Sequence, residues 1–338
     1  MYDIGQSHPD IPKNENTNRK DDFIGMDRMK NVILDTDMGP DCDDAGAVAV
    51  LNKFADFGEA KLLAMGNCTV HPEGAHCIDA INWYYGRHTI PVGTLKSAEG
   101  PGMGDAGYLK YNKYISEHFD HAFKHTLLPD AVAVYREALE KAEDNSVVFI
   151  TIGMFTNVKN LLRSEPDGYS PLPGPELVAK KVRKLVCMAG NFRAGHDDFF
   201  SEFNIKTDIG AARYVLANFK GEIVFCPYEM GYPIVTGTRL IAMGDMKKNP
   251  VAKAYQLYCG EAGGRNSWDL VTVYYAVRGT HGMFKESRKG NLTIDENGFT
   301  YFKEDSSGKH MITANKAPTA EISQVIEDII NLTPELVR

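Results

Sequence analysis

No run of lysine and arginine occurs anywhere in this chain, none of its six cysteines stands in a Cys-x-x-Cys pair, and no apolar stretch approaches the ~20 residues of a membrane span. Each absence excludes a class of function. With 37 Lys and Arg against 45 Asp and Glu and no basic patch, a nucleic-acid partner is not expected, nor is a membrane one. The scattered cysteines (Cys42, Cys68, Cys77, Cys187, Cys226 and Cys259) each lie in or beside an apolar stretch, so they read as free, mostly buried thiols of a reducing compartment. Residues 1–30 hold no apolar signal-peptide core, which makes the expected location cytoplasmic; a periplasmic one follows only if a signal has been removed. The same 30 residues are polar and aperiodic and read as a flexible arm. No internal repeat or linker divides the rest, so 31–338 is expected to be one α/β domain.

What is present is an alternation of two patterns. "NVILDTD", "AKLLAMGNCTV", "IPVGTL", "SVVFITIG", "KLVCMAG" and "EIVFCPYEMG" read as strands. "DDAGAVAVLNKFADFG", "HPEGAHCIDAINWYYG", "DAVAVYREALEKAED", "TNVKNLLRS" (with Thr156 as N-cap), "DIGAARYVLANF" and "TAEISQVIEDIINL" read as helices. Lys96–Thr126 is a loop excursion, Gly-rich and irregular at first. "EPDGYSPLPGP" is a surface loop, and "GNLTIDENGFTYFKED" is a hairpin turning at Glu296, Asn297 and Gly298. His118, His121 and His125 are spaced to share one helix face, read as solvated rather than metal-binding. Strands alternating with helices predict an open, mostly parallel, doubly wound sheet with helices on both faces. Ligands in such folds bind at the carboxyl ends of the strands, where several polar segments fall.

The densest of these is "NVILDTDMGPDCDDAGAVAVL", Asn31–Leu51, in which five of the ten residues from Asp35 to Asp44 are aspartates. Capping of the following helix accounts for two of them. The apolar flanks speak against a solvated acidic loop. Hard divalent cations gather several carboxylate and carbonyl oxygens, and a cation would cancel the repulsion. "ILDTD" also suggests a haloacid-dehalogenase-type phosphatase, D-x-D-x-[TV], but Gly39 occupies the fifth position and no partner Lys and late Asp pair is evident.

The motif resembles the N-terminal signature of the inosine–uridine-type nucleoside hydrolase family, D-T-D-x-G followed by D-D-A, here lengthened by two residues to D-T-D-x-G-x-D-x-D-D-A. Further segments are similar in register: "AMGN" ending at Asn67, "TIGMFTN" at Thr151–Asn157, "MAGN…SEFNIKTDIGAA" at Met188–Ala212, and "SWDLVTVYYAV" at Ser267–Val277. The resemblance implies Ca²⁺-dependent hydrolysis of the N-glycosidic bond of ribonucleosides, giving ribose and free base through an oxocarbenium-like transition state. It implies Asp37, Asp44, Asp269 and the carbonyl of Ile152 as Ca²⁺ ligands, and Asp37 also as the base acting on a metal-activated water. Asp43, Asn67, Glu202 and Asn204 would bind ribose, with Met188 beside them, and Asp35 would orient the loop from behind. A homodimer or homotetramer is implied as well. Two positions depart from the family: Trp268 stands where purine-type members commonly carry a His, and His196 where an Asn is common. Trp268, otherwise a core residue, is expected to line the base pocket; His196 is expected on a loop near its mouth, as a leaving-group acid, a ribose contact or an ordinary loop histidine. Asp41, inside the insertion, has no counterpart. The alternative to an enzyme is a non-catalytic protein that binds a ribosyl ligand in the same site.

Overall fold

The computed structural model describes residues 29–96 and 109–334. The predicted arm lies outside the described residues except Met29 and Lys30, and so does the Gly-rich part of the predicted loop excursion. Twelve described strands run β1 Lys30–Thr36, β2 Ala60–Asn67, β3 Val92–Thr94, β4 Val147–Thr151, β5 Val182–Met188, β6 Glu222–Cys226, β7 Val235–Thr236, β8 Arg265–Asn266, β9 Phe284–Glu286, β10 Gly290–Ile294, β11 Thr300–Glu304 and β12 His310–Asn315. The described α-helices are α1 Asp43–Asp56, α2 Pro72–Tyr84, α3 Tyr111–His118, α4 Ala131–Lys141, α5 Thr156–Leu162, α6 Gly174–Lys181, α7 Phe203–Thr207, α8 Ile209–Asn218, α9 Tyr228–Gly231, α10 Thr238–Met243, α11 Pro250–Cys259, α12 Trp268–Arg278 and α13 Thr319–Ile330. None of them is long and apolar enough to cross a membrane.

The main sheet is open, with order β11-β10-β12-β6-β5-β4-β1-β2-β3, and β9 pairs on β12. From β12 through β3 all neighbours are parallel, while β9, β10 and β11 pair antiparallel. Strand side chains alternate between the two faces. Val32, Leu34, Ile150, Val186 and Val224 pack on one side with α1 and α12, and Ile33, Phe149, Leu185, Ile223 and Phe225 pack on the other with α4, α5 and α8. Central strands buried on both faces explain the near-continuous apolar runs in the sequence. From β1 the chain winds outward to β2 and β3, then returns to β4 on the other side of β1. The carboxyl ends of β1 and β4 therefore flank the switch point of the sheet, where a crevice opens.

Several local expectations shift. The strand predicted through Gly231 ends at Cys226, because Pro227 cannot donate to the ladder, and α9 follows. Thr156 is the first residue of α5 rather than its cap; its hydroxyl donates to Asp208 at 2.6 Å. β12 carries no apolar run to announce it, since only Thr313 is fully buried. The hairpin turns as predicted, with Gly298 at φ 83° between β10 and β11. The histidine trio does not share a helix face: α3 stops at His118, and His121 is buried and stacked on His76 at 4.9 Å. The described structure holds all six cysteines as free thiols, five of them buried.

One close approach ties the sheet to the site. A Cβ on Gly66 of β2 would stand 1.7 Å from the Tyr135 hydroxyl, which donates to Asp35 at 2.6 Å. Gly66→Ala should displace Tyr135 from Asp35 and lower stability by about 1–3 kcal/mol through overpacking, read as a fall in the urea midpoint; an unchanged midpoint would mean the contact is slack.

Candidate active site

Beyond Thr36 the chain leaves the sheet at Asp37, crosses a short segment in which Gly39 takes φ 149°, and enters α1 at Asp43. Asp43 and Asp44 occupy the first turn of α1, and Asp269 the first turn of α12. Both helix N-termini thus meet at the crevice, and the Asp269 N–H donates to Asp43 Oδ2 at 3.1 Å. Thr36 donates its hydroxyl to Asp44. The loop after β4 comes in tightly: a Cβ on Gly153 would lie 2.7 Å from the Asp37 nitrogen. Glu202 caps α7, accepting from the N–H groups of Asn204 at 2.9 Å, Gly190 at 3.1 Å and Ile205 at 3.3 Å. The Asn204 amide donates to the carbonyls of Met188 at 3.0 Å and Ile152 at 3.2 Å.

These elements enclose a cavity of ≈ 370 Å³. Asp37, Asp43, Asp44, Ile152, Met188, Glu202, Asn204, Trp268 and Asp269 all line it. Asp35, Asn67 and His196 do not. Asp35 lies behind the wall, accepting from Tyr135 and, at 2.8 Å, from Asn157; burial still lifts its carboxyl to about 7. The Asn67 amide donates to Thr69, His71 and Thr94, pinning the loop after β2. His196 is exposed on the loop between β5 and α7.

The cavity also holds residues that no motif indicated. Tyr228 stacks on Trp268 with ring centroids 5.4 Å apart, and Trp268 Nε1 donates to the Tyr228 carbonyl at 2.9 Å. Phe200 meets Tyr228 edge-on at 4.8 Å. The Arg265 guanidinium lies over Trp268 at 4.8 Å and over Tyr258 at 5.3 Å, and Lys110 over Tyr258 at 5.0 Å. Asp41 pairs with Arg265 Nη2 at 2.7 Å. These contacts join distant segments; the only sequence signal for Arg265 is its place three residues before Trp268.

One half of the cavity is therefore acidic and the other aromatic. Burial first, then the neighbouring carboxylates, pushes Asp37, Asp43 and Asp269 well above the ordinary range, and Asp44 to about 8. Burial raises Glu202 too, against the pull of its backbone donors. Asp41 alone is lowered: burial acts upward, but the hydrogen bond with Asp43 and the Arg265 charge outweigh it. Such an array of oxygen donors suits a hard cation. The ligand atoms of Asp41, Asp43 and Asp44 lie within 4.8 Å of one another, a group that could hold a metal. Within it Asp41 is already engaged, by Arg265 on one oxygen and by the Asp43 N–H at 3.2 Å on the other.

The family model described as inosine-uridine preferring nucleoside hydrolase matches residues 32–328. The chain belongs to this family. It is thereby a nucleoside N-ribohydrolase, and its fold agrees. An inosine-uridine preferring nucleoside hydrolase from Bacillus anthracis superposes with a TM-score of 0.67 at 16% identity, over 89% of this chain and 99% of that one. The purine-preferring ribonucleoside hydrolase from Gardnerella vaginalis gives 0.67 at 18%, over 89% and 98%. The type III effector protein XopQ, complexed with adenosine diphosphate ribose, gives 0.66 at 13%, over 90% and 94%. No curated protein matches the chain in sequence. Nucleoside hydrolases depend on a metal, and the aspartate cluster of this member could bind one.

The raised carboxylates give this hydrolase a pH signature. Their folded pKa values exceed the unfolded one, so without a cation the folded state binds more protons, and stability falls as pH rises from about 4 toward 8. A divalent cation competes with those protons. Added Ca²⁺ should therefore raise the melting temperature of chelator-treated protein more at pH 8 than at pH 6; an equal rise at both would place the cation away from these carboxylates.

Proposed function

We propose that this nucleoside hydrolase releases free base and ribose from ribonucleosides in a Ca²⁺-dependent reaction, with Asp37, Asp44, Asp269 and the Ile152 carbonyl as the metal ligands. The observation that carries the reading is the convergence of buried, mutually repelling carboxylates at the sheet's switch point, with the nearest guanidinium spent on Asp41 rather than on them. A divalent cation held there would supply Lewis acidity for activating the attacking water and for orienting the ribose diol.

The chain's own residues account for the rest. Asp37, kept basic by burial and by its neighbours, takes the proton of the attacking water. Glu202, fixed by three backbone donors, and Asn204, fixed by two carbonyls, hold ribose hydroxyls from the α7 side, and Asp43 holds them from α1. Met188 covers the sugar between them. Carboxylates on both sides stabilise positive charge as it develops on the ribosyl ring. Asp35, through Tyr135 and Asn157, and Asn67, through its loop, keep the ends of β1 and β2 in place. Trp268 belongs to the base half as part of a stack with Tyr228 and Arg265, and His196 lies on the loop at its rim.

A second reading follows from XopQ, whose structure contains adenosine diphosphate ribose: a larger ribosyl compound held without turnover. Reducing-sugar assays on ribonucleosides, with Ca²⁺ and with chelator, separate the two. Ribose release that stops on chelation supports the hydrolase; binding of adenosine diphosphate ribose with no release from any riboside supports the binder. Asp37→Asn should lower turnover by about 10²- to 10⁴-fold, since the amide cannot accept a proton, with a much smaller change in KM. Near-normal turnover would exclude Asp37 as the base.

A further inference from the structure

We infer that Arg265, anchored by Asp41, contacts the departing base and stabilises it as an anion, in place of an acid that would protonate it. The inference rests on the ribohydrolase reading above. It starts from what the base half of the cavity lacks. Among the described lining residues there is no histidine, because Trp268 holds the position beside Asp269 and His196 is off the wall. The tyrosine hydroxyls are poor acids here: burial pushes Tyr258 up to about 12, and raises Tyr228. What the wall does hold is a guanidinium in a defined orientation.

Arg265 is set by three features. β8 pairs with β7, with Arg265 opposite Thr236, and this fixes its backbone. Nη2 donates to Asp41 Oδ2, which fixes one edge of the plane. Trp268 and Tyr258 pack on the guanidinium, which fixes its tilt. Nε is buried and has no hydrogen-bond partner. A buried guanidinium donor without an acceptor is costly, and here it belongs to a side chain that lines the same cavity as Asp37 and Asp269. The Arg265 side chain is 28% exposed and lines the cavity, so the carbonyl oxygen of a nucleobase can approach its open N–H groups. Asp41 is thus a positioning residue, which also gives the two-residue insertion in the aspartate motif a role.

The chemistry balances without a leaving-group acid. Water adds to the anomeric carbon and gives its proton to Asp37. The bond from that carbon to the base nitrogen breaks, and its electron pair leaves with the base. The resulting anion is held by the guanidinium N–H groups and takes a proton from solvent after release. Arginine does not deprotonate in the working range, so it acts by fixed charge and by donated hydrogen bonds. Bases that leave as carbonyl-bearing anions, such as uracil and hypoxanthine, are favoured over adenine, which has no carbonyl oxygen. Lys110, the other cation on the wall, could instead deliver a proton, and this is the competing assignment.

The test compares uridine and inosine with p-nitrophenyl riboside, whose leaving group needs little assistance. Removing a preorganised donor costs about 10²- to 10³-fold in turnover, so Arg265→Ala should lose that much on the nucleosides and less than about tenfold on p-nitrophenyl riboside. Added guanidinium ion should restore part of the nucleoside rate. Arg265→Lys should show the same selective loss to a smaller extent, as should Asp41→Asn, and both report even if the alanine variant is unstable. Uniform losses on all substrates without guanidinium rescue would overturn the inference and make Arg265 a packing residue. The selective loss appearing in Lys110→Met instead of Arg265→Ala would overturn it in favour of protonation. In either case the wild-type enzyme still cleaves ribosides; a wild type inactive on p-nitrophenyl riboside as well would refute the ribohydrolase reading itself.

Discussion

Repulsion among buried carboxylates is the constraint on which the rest of this structure depends. Two unit charges 4 Å apart interact by about 4 kcal/mol at an effective dielectric near 20. Asp41, Asp43 and Asp44 offer oxygens within 4.8 Å of one another, and Asp37 and Asp269 are buried beside them. A helix N-terminus offsets about 0.3–1 kcal/mol per nearby charge, up to about 2 in buried settings. The two termini that meet here, of α1 and α12, therefore fall short of compensating the cluster. Protons or a divalent cation must supply the remainder.

The surrounding architecture holds the cluster together against that repulsion. α1 and α12 pack on the same face of the sheet, directly beneath the crevice between β1 and β4. Behind the wall Asp35 is locked by Tyr135 and Asn157, and the Asn157 amide also reaches the Asn67 carbonyl at 3.1 Å. β1, β2, α4 and the start of α5 are joined in this way by one polar network. On the far side Asn204 links the carbonyls after β4 and β5. A pocket assembled from strand ends that are all cross-braced can present charged groups in one arrangement without water to screen them.

In the mechanism proposed above, the acidic half and the aromatic half serve opposite needs of one bond cleavage. Carboxylates would suit the sugar, which becomes electron-poor, and the guanidinium packed on Trp268 and Tyr258 would suit the base, which becomes electron-rich.

Much of the framework was legible in the residues. Strands with buried flanks, Gly and Pro at the breaks, and the run of aspartates are local patterns, and local patterns report secondary structure and the carboxyl ends of strands. The sequence by itself determined the parallel α/β fold, the family, and the acidic side of the pocket, because those carboxylates sit within short motifs. Where local pattern is weak it failed: β12 lacks an apolar run, and the His118–His125 spacing suggested a helix that ends at its first member. Only the tertiary structure decided that Asp41 meets Arg265 across 224 residues, that Tyr228 stacks on Trp268 and Arg265 packs on both Trp268 and Tyr258, and that Asn67 and His196 lie off the wall. The physical reason is that an ion pair or ring stack depends on distance in space, and neither periodicity nor spacing along the chain encodes which distant loops the folded sheet brings together.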